Sequence, residues 1–307
     1  MTFIITGATS FIGLELTRYL LGQGHTVIAV CRPNSNGLVF IPEGVGIVFS
    51  EMFNYGGLDS KISEADVFIN LAWGGTGHDG RNVADMQNEN ITYTIDAMRA
   101  AKKIGCKLFL ESGSQAEYGS TTEPQREDSV CNPFSEYGKA KLRVKDNLFV
   151  LSKELGIKYI HLRIFSVFGE HDHHWTLIMS TLDKMQKNEP IDLSSCTQNW
   201  NFIYVKDAVR IISILCEKAV ADPAFQHEIY NVASDDTRQL KEFVERMKTL
   251  SDSSSELKYG SIVPIYQVSL QPDITKTMQT TNFGAFKSFD NVIKSILKSQ
   301  REYGKSI

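Results

Sequence analysis

No apolar run in this chain approaches the roughly 20 residues needed to cross a bilayer, so a helical membrane protein is not expected. Blocks of Lys or Arg are absent as well. The 32 cationic and 36 acidic side chains leave a formal charge of −4, which argues against a nucleic-acid partner but leaves room for a local pocket for one phosphate. The five cysteines, Cys31, Cys106, Cys131, Cys196 and Cys216, include no CxxC pair. Reduced thiols are therefore expected, not a disulfide framework or a zinc site. The opening MTFIITG has no basic leader, long apolar region or cleavage site, so the expectation is a cytoplasmic protein with no secretory signal. Repeats and long disordered tracts are also missing. What is present is 307 residues, 42% of them hydrophobic, ample for one large or two modest domains.

Short apolar runs bounded by Gly, Asp or Asn read as buried strands: FIIT, TVIAVC, VGIVF, DVFINLA, KLFLES and YIHLRI. Helical stretches lie between several of them, over Gly13 to Leu21, Asn82 to Lys103 and Ser135 to Glu154. This alternation predicts an α/β fold, a doubly wound parallel sheet covered on both faces. After about Gly169 the rhythm loosens, then FIYVKDAVRIISILCEKA and HEIYNVAS return to strand and helix, and a helix is expected from Arg238 to Leu250. Residues 1–168 are read as a dinucleotide-binding domain, completed by about 202–233, with 169–307 mainly a smaller substrate-binding lobe. Ligands are expected in the crevice beyond the strands' carboxyl ends.

The stretch TGATSFIG follows the first strand and opens a helix. Such a turn sets backbone N–H groups and the positive helix end against a pyrophosphate. Gly7 permits the tight turn and Gly13 allows the helix to pack closely on the strand. Ser10 stands where backbone approaches phosphate, and its small side chain carries a hydroxyl able to donate.

A sharper signal is EYGKAK. Tyr137 and Lys141 are four apart on a predicted helix and share one face. A free phenol, with a pKa of about 10, is a poor acid–base group near neutrality. A nearby ammonium, helped by an oxidised nicotinamide, favours phenolate. Tyr137 can then exchange a proton with a substrate oxygen while a hydride moves. Upstream, LESGSQAEYG begins at a strand end, where Ser114 can bond the same oxygen. The order of the pieces carries the argument: a glycine turn, a serine after a mid-chain strand, then YxxxK on the next long helix.

Together TGATSFIG, NLAWGG, SGSQAEYG, YGKAK, LRIFSVFG and NFIYVKDAV resemble the extended short-chain dehydrogenase/reductase family of nucleotide-sugar epimerases, dehydratases and ketoreductases, in order and over nearly the whole chain. The resemblance implies a Rossmann-type sheet and a catalytic set of Ser114, Tyr137 and Lys141, with Lys141 also holding the nicotinamide ribose. It implies cofactor contacts from Gly7, Thr9, Ser10, Phe11, Ile12 and Gly13 at the turn. Further contacts are expected from Leu71, Ala72 and Trp73 after the fourth strand, from Asn90 on the following helix, and from Ser112. The segment Phe165 to Val167 would flank the nicotinamide, although the family usually has proline where Phe165 stands. Sugar contacts are expected from Trp73, His78, Ser114 and Gln115. Asn199 and Asn201 sit where Arg-Asp is common, so a phosphate-binding arginine is sought elsewhere, at Arg210 or Arg238.

In NAD-preferring members an acidic residue ends the second strand and bonds the adenosine ribose. Arg32 stands there instead and suits a 2′-phosphate, so NADP(H) is favoured and NAD(H) stays open. Dehydratases of the family place Asp-Glu directly after the serine, whereas Gln115 and Ala116 follow Ser114, and Glu117 comes one position late. No cysteine lies near Ser114, unlike in members that also epimerise beside the carbonyl. The expected reaction is therefore NADPH-dependent reduction of a nucleotide-linked 4-keto-6-deoxy sugar. The alternatives are an NAD-dependent 4-epimerase and, in another class, a non-enzymatic NADP-sensing regulator. The His171, Asp172, His173, His174 cluster lacks helical ligand spacing and is read as a loop near the substrate mouth, with no metal expected. A homodimer through the helices over Asn82 to Lys103 and Ser135 to Glu154 is expected.

Overall fold

Six of the apolar runs become strands of one sheet because parallel strands covered on both faces need no polar alternation. The computed structural model describes residues 1–77, 79–121, 123–264 and 268–303. In chain order the strands are β1 (Thr2–Thr6), β2 (Thr26–Cys31), β3 (Gly46–Phe49), β4 (Val67–Asn70), β5 (Leu108–Ser114), β6 (Lys158–Ile164), β7 (Ser166–Phe168), β8 (Ile191–Leu193), β9 (Asn199–Tyr204), β10 (His227–Val232), β11 (Thr237–Gln239) and β12 (Leu257–Tyr259). The helices are α1 (Phe11–Gly22), α2 (Ala84–Ile104), α3 (Glu136–Leu155), α4 (Leu177–Gln186), α5 (Val205–Ala221), α6 (Leu240–Ser251), α7 (Thr275–Thr281) and α8 (Phe289–Tyr303). Seven strands form a parallel Rossmann-type sheet in the order β10-β6-β5-β4-β1-β2-β3.

Alternate residues of each strand feed opposite faces. Phe3 and Ile5 of β1 pack with Leu16 and Leu20 of α1 and with Ile212 and Leu215 of α5. Ile4, between them, points to the other face with Phe68 and Phe109, under Ala97 and Met98 of α2 and Val144 and Leu148 of α3. A second apolar core joins α4, α6 and α8 to β8 and β9, around Leu182, Phe202, Phe243 and Ile293. The helix expected from Arg238 begins instead at Leu240, because residues 237–239 pair antiparallel with β9.

The order of strands reverses between β1 and β4. There α1 leaves to one side and the connection after β4 to the other, which opens a crevice at the carboxyl ends. Among the described residues, no helix is long and apolar enough to cross a membrane. All five cysteines are free thiols.

Candidate active site

The crevice starts at the turn after β1. Gly7 has φ 66°, and a Cβ there would stand 2.9 Å from Ala72 N and from Leu71 C, so this turn requires glycine. Gly13 is packed harder still, its hypothetical Cβ lying 2.2 Å from the Gly7 carbonyl oxygen. Ser10 caps α1: its Oγ accepts from Gly13 N at 3.2 Å. The bond uses Ser10 as acceptor and leaves its hydroxyl proton to be given outward. From this turn a hollow of about 810 Å³ runs past Thr9 to Arg32, Ser35 and Glu51, walled on the other side by Leu71, Ala72 and Trp73. Ser35 Oγ donates to Thr9 Oγ1 at 2.9 Å and fastens the loop after β2 to the turn.

A second hollow of about 410 Å³ shares Ser10, Leu71, Trp73, Thr76 and His173 with the first, so the two form one trough. Its walls include Ser112, Ser114, Gln115, Tyr137, Lys141, and Phe165 with Val167. Ser135 starts α3, its Oγ accepting from Gly138 N at 3.1 Å, and this fixes Tyr137 in the first turn. Tyr137 N also donates to Arg81 O at 2.9 Å. The Arg81 guanidinium lies 4.3 Å from the Tyr137 ring centroid, and Trp73 meets the same ring edge-on at 6.1 Å. One helical turn further on, Lys141 is buried. Its Nζ donates to Glu111 Oε1 at 3.0 Å and to the Ser112 carbonyl, and sits 3.5 Å from the Trp73 ring centroid.

Ser114 ends β5, with its Oγ accepting from Ala116 N at 3.1 Å and its N donating to Glu117 Oε1 at 2.8 Å. Glu117 turns inward and is fully buried, held by His161 Nε2 at 2.9 Å and Arg163 Nε at 3.0 Å. Burial alone would raise its carboxyl, but the charges of His161 and Arg163 and the Ser114 N–H outweigh burial and push it down to about 2. The trough thus presents a phenol, an ammonium and a hydroxyl at one end and a helix N-terminus near its middle. A nicotinamide dinucleotide fits this arrangement: glycines stand where side chains would block a diphosphate, and the positive end of α1 faces it.

The sequence pattern of the NAD dependent epimerase/dehydratase family matches residues 3–233. The chain belongs to this family. Among curated members of the epimerase/dehydratase family, the dTDP-6-deoxy-L-talose 4-dehydrogenase (NAD(+)) of Aggregatibacter actinomycetemcomitans is 25% identical over 269 residues, 85% of this chain and 94% of that one. The dTDP-4-dehydro-6-deoxyglucose reductase of Escherichia coli is 24% identical over 218 residues, 69% of this chain and 67% of that one. The fold matches that of a UDP-glucuronic acid 4-epimerase from Bacillus cereus, solved with UDP-glucuronic acid and NAD. The TM-score is 0.82 at 20% identity, over 98% of this chain and 100% of that one.

Within this epimerase/dehydratase framework, most residues singled out from sequence line the trough, including Phe11 and Ile12. Two do not. Asn90 sits behind it, accepting from Gly74 N at 2.8 Å and donating to Gly74 O and Met86 O at 3.0 Å, and so shapes the loop that carries Trp73. Arg210 lies on the exposed side of α5, 3.7 Å from Asp207 and stacked over Phe283 at 4.9 Å. Arg238 bonds Asp236 and stacks on Phe243. His78 lies outside the described residues. In the histidine cluster, His173 stacks on Trp175 with ring centroids 4.3 Å apart, and Asp172 accepts from Thr176 Oγ1. Among the described residues, no group of three or more His, Cys, Asp or Glu could hold a metal ion.

Four neighbours of the trough escaped the sequence reading. Glu51 and Arg81 line it. Gln87 accepts from Trp73 Nε1 at 2.8 Å and donates to Gly75 O and Gly80 O, which fixes the indole. Glu111, a single charge inside an apolar strand, is the fourth.

Proposed function

We propose that the protein is an NADPH-dependent reductase of a nucleotide-diphospho-4-keto-6-deoxy sugar. The observation that carries this reading is the serine turn at the reacting end of the trough. Ser114, Tyr137 and Lys141 face the hollow, yet the one carboxylate in that turn, Glu117, is buried beneath it. Proton exchange with a substrate oxygen is provided for, whereas the carboxyl acid–base pair that elimination needs is not.

A nicotinamide held in the trough would supply the hydride. Tyr137 gives its phenolic proton to the oxygen of the carbonyl being reduced, and Ser114 donates a second hydrogen bond to that oxygen. Lys141 offsets the negative charge left on Tyr137. Trp73 and the buried Phe165 wall the site and limit water. Trp73, Ser114 and Gln115 take the sugar. Arg81 is the cation placed to meet the substrate's diphosphate, because Arg210 points away from the trough.

At the other end Arg32, with Ser35 and Asn34, favours a 2′-phosphate. Glu51 at the same end favours the ribose hydroxyls of NAD instead, and with the 4-epimerase fold match it supports a second reading, an NAD-dependent 4-epimerase. The test is consumption of NADPH and of NADH with a panel of 4-keto-6-deoxy sugar nucleotides. Arg32→Ala should lower kcat/KM with NADPH roughly 10-fold or more, the scale of a charge-assisted bond, and leave NADH nearly unchanged. Tightly retained NAD(H) on the purified protein, with no turnover of added NADPH, would favour the epimerase.

A further inference from the structure

Glu111 is fully buried in the middle of β5, and each of its carboxyl oxygens accepts a hydrogen bond. Oε1 accepts from Lys141 Nζ at 3.0 Å, and Oε2 from Asn70 Nδ2 at 2.6 Å. Asn70 is oriented in turn by Thr6, whose Oγ1 donates to Asn70 Oδ1 at 2.6 Å. This chain of bonds crosses three neighbouring strands, from the strand before the glycine turn to the ammonium under the reacting end of the trough. A protonated Glu111 would need an acceptor, and both oxygens already face donors; the arrangement is built for the carboxylate. Burial lifts the carboxyl above its ordinary value, and Lys141 and the Asn70 bond oppose that rise without cancelling it.

The Lys141 ammonium is therefore held from three sides, by Glu111, the Ser112 carbonyl and the Trp73 ring. We infer that Glu111 is a positioning residue for Lys141: it pins the ammonium to the sheet and offsets the charge that Lys141 presents to Tyr137. With that charge balanced, Tyr137 is kept as a proton donor. This inference rests on the reductive reading above, since a tyrosine that begins as a proton donor is what reduction requires.

The groups that bear on the pair are few. Lys141 on α3 and His161 and Tyr159 on β6 face Glu111, with Glu117 behind His161. Arg81, on the loop before α2, and His173 share the hollow with Tyr137.

The test is phenolate absorbance of the protein without cofactor or substrate, taken as the difference from the same background carrying Tyr137→Phe. In Glu111→Gln the pH of phenolate formation should fall by roughly one unit, the scale of removing a nearby charge in a partly wet cleft. The alkaline fall of kcat/KM for NADPH-dependent reduction should move down with it. Glu111→Asp keeps the charge but withdraws it by one methylene; it should shift the midpoint the same way by less, and serves if the Gln variant does not fold. An unchanged or raised midpoint in either variant overturns the inference. The absorbance arm needs no substrate, so it decides the role of Glu111 even if no sugar nucleotide in the panel is turned over.

Discussion

Glu117 shows how one buried side chain can settle what its neighbours do. Its carboxylate serves His161, Arg163 and the Ser114 N–H at once, so the serine turn is tied to the sheet from below. A carboxyl lowered from its ordinary 4.5 to about 2 stabilises the fold at any pH above its ordinary value. That contribution, about 3 kcal/mol, is lost as pH falls from about 4.5 toward 2. Glu117→Gln leaves Arg163 buried without its partner and should cost about 3–5 kcal/mol near neutrality. Chemical denaturation across acid pH checks both statements: the variant should start lower and lose stability less steeply below pH ~4.5. A variant with the wild-type slope would contradict the assignment.

At the scale of elements, α1 and the turn before it act as one part. Gly13 lets the helix touch the Gly7 carbonyl, whereas Gly22, near the end of the same helix, has nothing within 4 Å of a hypothetical Cβ. Gly13→Ala should therefore weaken dinucleotide binding at least ~10-fold and lower thermal stability, while Gly22→Ala should be neutral or stabilise by up to ~1 kcal/mol. Fluorescence titration with NADPH and thermal melts of the pair separate the two outcomes. Equal binding by Gly13→Ala would mean that the turn does not hold the diphosphate.

The long elements were legible because the physics that forms them is local. Buried parallel strands are continuous apolar runs, and α3 carries Val144 and Leu148 on one stripe. Residues 238 and 239 were misread as helix because their pairing with β9 is a distant contact that no local pattern announces. Arg210 drew notice through its neighbours in sequence, yet its position on α5 faces solvent. Glu111, Gln87 and Arg81 went unseen for the same reason: each matters through a partner far along the chain, Lys141, Trp73 and Tyr137 respectively.

Over the whole molecule, one trough runs from Arg32 to Tyr137, across the point where the sheet reverses. The second core, under α4, α6 and α8, adjoins the reacting end through β7, whose Val167 lines the hollow. We propose a homodimer formed through α2 and α3, which pack against each other and expose Met86, Phe149 and Val150. Light scattering should give twice the chain mass, and the mass of one chain would contradict it. The central claim, hydride transfer with Tyr137 as proton donor, is tested most directly with NADPH carrying deuterium at its transferable position and a 4-keto-6-deoxy sugar nucleotide. One deuterium should appear on the reduced sugar carbon for each NADPH consumed, with the rate falling roughly 100-fold or more in Tyr137→Phe. A sugar that is isomerised without label or NADPH consumption, or an unaffected Tyr137→Phe enzyme, would contradict the account.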